Sequence, residues 1–194
     1  MNWTILFNPL AKLPAKPILL VGIISAVIGS FISQFNHTIF DGLVDAHTYQ
    51  LLTYTQAITA NLVNIILPCV FLFILGRFIN PKTRMIDILN TSFLYRIPIY
   101  IIPFVTSFPS MKSIEAKINE PMMSIKDLQF SSDEITMLII FSCISLAILA
   151  YAIALLFMGF KTATNAKKAW HYLAFVGVFI LCEILSKFII HSFL

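Results

Sequence analysis

Residues 17–35, 58–78, 86–108, 135–158 and 170–190 are apolar almost throughout, and short polar segments separate them. At about 1.5 Å of rise per helical residue, each stretch is long enough to cross a hydrocarbon core of about 30 Å. The pattern predicts an all-α fold: a polytopic membrane bundle of five transmembrane helices, with residues 1–194 forming a single membrane domain.

The third stretch, IDILNTSFLYRIPIYIIPFVTSF, carries Arg96 one residue from its centre. A charge at that depth costs about 2.5–3.5 kcal/mol even on insertion scales, so Arg96 is expected to face protein and not lipid. Pro98 and Pro103 lack the N–H groups that would bond the carbonyls of Leu94 and Ile99, which leaves those carbonyls free for the guanidinium. The other expected partner is Glu183, just past the centre of the fifth stretch, with Lys187 four residues on and on the same helical face. Asn61 and Asn64, at i and i+3 in the second stretch, share a face and are expected to hydrogen-bond to a neighbouring helix. Arg96, Glu183, Lys187, Asn61 and Asn64 therefore form the candidate intramembrane polar cluster.

The connecting segments refine this picture. Trp3, Leu6, Phe7 and Leu10 at helical spacing, with Lys12 and Lys16 behind them, suit a segment lying in the headgroup region before an uncleaved first span. Gly22 and Gly29 in that span offer surfaces for close helix approach. Segment 36–56 has no Lys or Arg and reads as a solvated loop; a competing reading puts His37, Asp41 and Asp45 on one side of a short helix as metal ligands. Met111, Ile114 and Ile118 predict a short amphipathic helix stopped by Pro121, beside which the Met122–Met123 pair is the first candidate contact. Ser131 with Glu134 reads as a capping box for the fourth span, and Gly159 as its end. Cys69, Cys143 and Cys182 lie in apolar stretches without CxxC spacing, so neither a disulfide framework nor a zinc site is indicated.

Composition agrees: 59% of residues are hydrophobic and 11% charged, which a water-facing surface cannot accommodate. The net charge of +4 comes from basic groups at the ends of apolar stretches, the signature of topology and not of nucleic-acid binding. Lys12, Lys16, Arg77, Lys82, Arg84, Lys161, Lys167 and Lys168 fall on one side, against Lys112, Lys117 and Lys126 on the other. The excess predicts a cytoplasmic amino terminus and an outside carboxyl terminus.

ILFNPLAKL before the first span, RMIDILNTSFLYRIP opening the third and LLFMGFKTATNAKKAW between the fourth and fifth give the chain a resemblance to the Yip1 family, in particular its bacterial branch. The resemblance implies five spans, an inside amino terminus, no enzymatic activity and a role through protein partners, as an accessory component of a bacterial inner membrane. The DLYGP-type stretch and long amino-terminal region of eukaryotic relatives are not seen, so their binding to small GTPases is not carried over.

GxSxG, HExxH, P-loop, GxGxxG and CxxC patterns are all missing, and the four histidines are scattered. The sequence thus points to a non-enzymatic scaffold without cofactor, in contact with membrane lipids and either a membrane-protein partner or further copies of itself. The alternative is a small-solute or ion transporter with a mid-membrane site around Arg96, since transporters place sites at broken helices.

Overall fold

The computed structural model describes residues 3–118 and 130–194. In chain order, α1 (Trp3–Phe7) and a 3-10 turn (Pro9–Ala11) precede α2 (Ala15–Phe35); two short strands, β1 (Thr38–Ile39) and β2 (His47–Thr48), pair antiparallel. Then come α3 (Tyr54–Ile79), α4 (Met85–Leu94), α5 (Arg96–Ile99), α6 (Ile102–Thr106), α7 (Pro109–Ile118), α8 (Ser132–Thr164) and α9 (Ala169–His191). Counting Met85–Thr106 as one broken span, five helices are long and apolar enough to cross a membrane. The all-α membrane bundle expected from the hydrophobic pattern is the observed fold.

The third span lies at the centre, packed by α2, α3 and α8. It breaks at Tyr95 and at Tyr100–Ile101, next to the prolines that remove helical hydrogen bonds. Small residues let its neighbours close on it. A Cβ at Gly22 would fall 2.5 Å from Phe93 Cβ, and one at Gly29 would run into the Tyr100 ring. Gly159 plays the same part against Thr91, so it does not end α8 as its sequence position suggested. The helix continues to Thr164 and closes on Asn165, whose φ of 52° is the left-handed conformation of a C-terminal stop.

Both ends of the bundle are tied locally. At the hairpin end, Ser131 and Glu134 form the expected capping box, and Lys117 Nζ meets Glu134 Oε1 at 2.5 Å, fastening the amphipathic α7 to α8. Ile114 is the buried residue of α7. Pro121, Met122 and Met123 lie outside the described residues. At the opposite, lysine-rich end, Asn8 Nδ2 donates to Thr162 Oγ1 (2.8 Å), while Tyr151 OH donates to Leu6 O (2.9 Å). Tyr151 and Thr162 are separated by about 16 Å of helical rise. The amino-terminal segment therefore climbs along α8 towards mid-depth and does not lie flat in the headgroup region. The edge-to-face contact of Phe7 with Tyr151, centroids 5.6 Å apart, helps hold it there.

Candidate functional site

Segment 36–53 is not a solvated loop. Its apolar residues Ile39, Phe40 and Leu43 are 2%, 1% and 0% exposed, so the turn between β1 and β2 sinks into the bundle while Asp41, Asp45 and His47 stay nearer its rim. A turn cannot satisfy its own backbone as a helix does, and each unpaired N–H or C=O at that depth costs several kcal/mol. The polar side chains of the spans supply the partners. Asn64 Nδ2 donates to Phe40 O (2.7 Å) and Arg96 Nη1 to Leu43 O (3.2 Å), while the N–H groups of Leu43 and Val44 donate to Glu183 Oε2 at 2.6 and 3.3 Å.

Arg96 and Glu183 thus grip opposite sides of one backbone position, Leu43, and make no direct salt bridge. The expected pairing is corrected in this sense, and so is the fallback: the acceptor is Leu43 O and not the carbonyl of Leu94 or Ile99. The cause is steric as well as electrostatic. At Gly42 the backbone lies so close to the Glu183 carboxylate that an added Cβ would collide with it, so the turn fills the space a direct pair would need.

Arg96 itself is fully buried. Its guanidinium carbon is 4.7 Å from the Phe40 ring centroid, 5.6 Å from that of Tyr100 and 5.8 Å from that of Tyr95. The rings offer their negative faces to the cation. Nε and Nη2 have no hydrogen-bond partner among the described residues.

The asparagines complete the network. Asn61 Nδ2 donates to Ala26 O (2.9 Å) and Ser30 Oγ (3.0 Å), and its Oδ1 accepts from Tyr100 OH (2.9 Å). Asn64 Oδ1 accepts from Ser186 Oγ, and its backbone carbonyl from Tyr95 OH. Lys187 reaches Asp45 Oδ2 at 2.6 Å and Glu183 Oε1 at 3.5 Å, which latches α9 to the rim of the turn. All five candidate residues therefore belong to one assembly. Tyr95, Tyr100, Ser186 and Gly42 complete it, and sequence reading passed them over. The signals were present: two tyrosines bracket Arg96, and the apolar run of Ile39–Phe40 and Leu43–Val44 is out of place in a solvated loop.

The short helix that would have aligned His37, Asp41 and Asp45 does not form. Among the described residues the grouped donors are Asp41, Asp45 and His47, with His47 Nδ1 2.9 Å from Asp41 Oδ1. Burial pushes the Asp45 carboxyl up, but the Lys187 hydrogen bond, the His47 and Lys187 charges and the Ala46 N–H outweigh it and hold the group below its ordinary value. Lys187 is thus the cation that this carboxylate already has. No protein-family model, curated protein or solved structure matches the chain.

Proposed function

We propose that this protein is a non-enzymatic scaffold or accessory component that works through contact with other membrane proteins, along the lines of bacterial Yip1-like proteins. It sits in a bacterial inner membrane with its amino terminus in the cytoplasm, as the excess of basic residues at the lysine-rich end suggests. The observation that carries this reading is the use made of the intramembrane polar groups. Asn61, Asn64, Arg96 and Glu183 bond one another's neighbours and the sunken turn, so they brace the fold. A surface for partners is available elsewhere: from Ser132 to Tyr151, α8 has no buried residue.

The transport reading draws on one observation, the two guanidinium nitrogens of Arg96, Nε and Nη2, that have no hydrogen-bond partner among the described residues at the bundle centre. Purification in mild detergent separates the two. A scaffold is recovered as a higher-order assembly or with a stoichiometric partner, and substitutions on the 132–151 face of α8 dissociate it while the bundle stays folded. A monodisperse monomer that moves a solute into liposomes, with an Arg96→Met variant that folds normally but has lost that activity, overturns the proposal in favour of transport.

A further inference from the structure

Between α2 and α3 runs a cavity of about 310 Å³ that opens sideways. Its walls are Ile23, Val27 and Phe31 on α2 and Ile58 and Leu62 on α3, all exposed apolar residues within membrane-spanning helices. What meets this opening is the hydrocarbon of the bilayer. From Phe31 to Ile23 the cavity extends about 12 Å along the helix, close to half of a 30 Å core, so it covers the leaflet at the hairpin end and stops near mid-depth. Phe93 closes it there.

The floor asks for nothing polar. Ser30 and Asn61 line it, yet the Ser30 hydroxyl donates to Ala26 O (2.9 Å) and Asn61 is bonded to Ala26, Ser30 and Tyr100. At the mouth, Tyr54 stands where α3 starts, packed edge-on against Phe31 with centroids 5.8 Å apart. Its hydroxyl has no hydrogen-bond partner among the described residues and lies at the level of lipid ester and head groups, where such amphipathic rings settle.

From the leaflet-long shape, the apolar walls and the single polar group at the mouth, we infer that this cleft binds one acyl chain of a bilayer glycerolipid, with the Tyr54 hydroxyl meeting the lipid's ester region. The test uses the full-length protein reconstituted in phosphatidylcholine vesicles doped with phosphatidylcholine carrying a photoreactive diazirine on its acyl chain. Labelling should concentrate on peptides spanning residues 23–31 and 54–62. After exhaustive detergent washing, native mass spectrometry should find a single retained lipid on the wild type and on Ile28→Trp, a change on the same helix outside the cleft. The cleft-filling double variant Val27→Trp/Ile58→Trp should have lost it. Labelling spread evenly over the five spans, retention unaffected by filling the cleft, or cross-linking of Val27→Cys to a second copy would each overturn the inference. The labelling arm requires no variant, so a failure of the double variant to fold leaves the inference open to refutation.

Discussion

Two spans of this bundle, the broken third helix and α8, have opposite fates in the same solvent. The third span is 72% buried over its membrane-crossing window and α8 only 11%, although α8 is the more apolar of the two. In water the more apolar helix would be the one buried. In a bilayer apolar side chains gain little by leaving lipid for protein, and polar ones are what must be covered. Asn90, Thr91, Ser92 and Arg96 are all fully buried in the third span, whereas the half of α8 nearest the hairpin end keeps its charges, Asp133 and Glu134, in its first turn. Beyond them it has only hydroxyls, such as Thr136, which donates back to Ser132 O (2.8 Å) and needs no cover from another helix. Burial here follows polarity.

The largest test of that contrast is Arg96→Met. It leaves the buried Leu43 O without its donor, at about 1–3 kcal/mol, and takes the cation away from the Phe40, Tyr95 and Tyr100 rings, at about 2 kcal/mol for a desolvated site. The folded fraction recovered in detergent should fall sharply. Because Glu183 holds the Leu43 and Val44 N–H groups and has Lys187 at 3.5 Å, adding Glu183→Leu should not rescue the loss. The double variant should be worse than either single one. Recovery in the double variant would mean that the two charges pair directly, and the role given to Leu43 would be wrong.

That outcome bears on what a sequence can reveal. The spans were legible because five long apolar runs have no other solution than membrane-crossing helices, and each candidate polar residue was found by its depth in such a run. What joins them was not legible. Depth along a helix can be counted, but the partner of a buried charge depends on which segment comes between, and segment 36–53 looked like a loop because Asp41, Asp45 and His47 dominate its polarity. Its apolar residues alternate with those groups in a way that fits neither helix nor strand period, since the backbone there is a turn held by side chains from α3, the third span and α9. Gly159 misled for a related reason: a glycine that serves close packing looks the same in sequence as one that ends a helix.

Next in size is Asn64→Ala, which strips partners from Phe40 O and the Ser186 hydroxyl inside the bundle. Leaving buried polar groups unsatisfied should cost about 1–3 kcal/mol, read as a lower thermal midpoint in detergent. Leu146→Ala on α8, at a side chain 65% exposed, should move the midpoint by no more than about 0.5 kcal/mol equivalent. Equal losses at the two sites would abolish the distinction between the braced centre and the open helix.

Glycines sharpen the same contrast. Gly42→Ala drives a Cβ into the Glu183 carboxylate and should destabilise by about 1–3 kcal/mol as the turn is pushed from its seat. Gly177→Ala meets nothing within 4 Å and should instead stabilise α9 by about 0.5–1 kcal/mol through helix propensity. Thermal midpoints of opposite sign are expected, and a neutral Gly42→Ala would show that the turn is free to shift.

The smallest effect is expected at the rim, where Asp45 meets Lys187 and His47. Desolvation acts to raise the Asp45 carboxyl, but its hydrogen bond from Lys187 and the nearby positive charges hold it below the ordinary value in the folded protein. A carboxylate depressed in this way binds its proton more readily in the unfolded chain, so its stabilising contribution is complete above the unfolded value of about 3.9 and is lost as pH falls through the lower folded value. Its side chain is 36% exposed, which lets solvent screen the pair and keeps the contribution modest. In an uncharged detergent, the wild type should melt slightly higher than Asp45→Asn from neutrality down to about pH 4, and the gap should close below that. A gap that stays constant into strong acid would mean that the Asp45 charge does not fasten the turn, and that the grip of Arg96, Asn64 and Glu183 on its backbone holds it unaided.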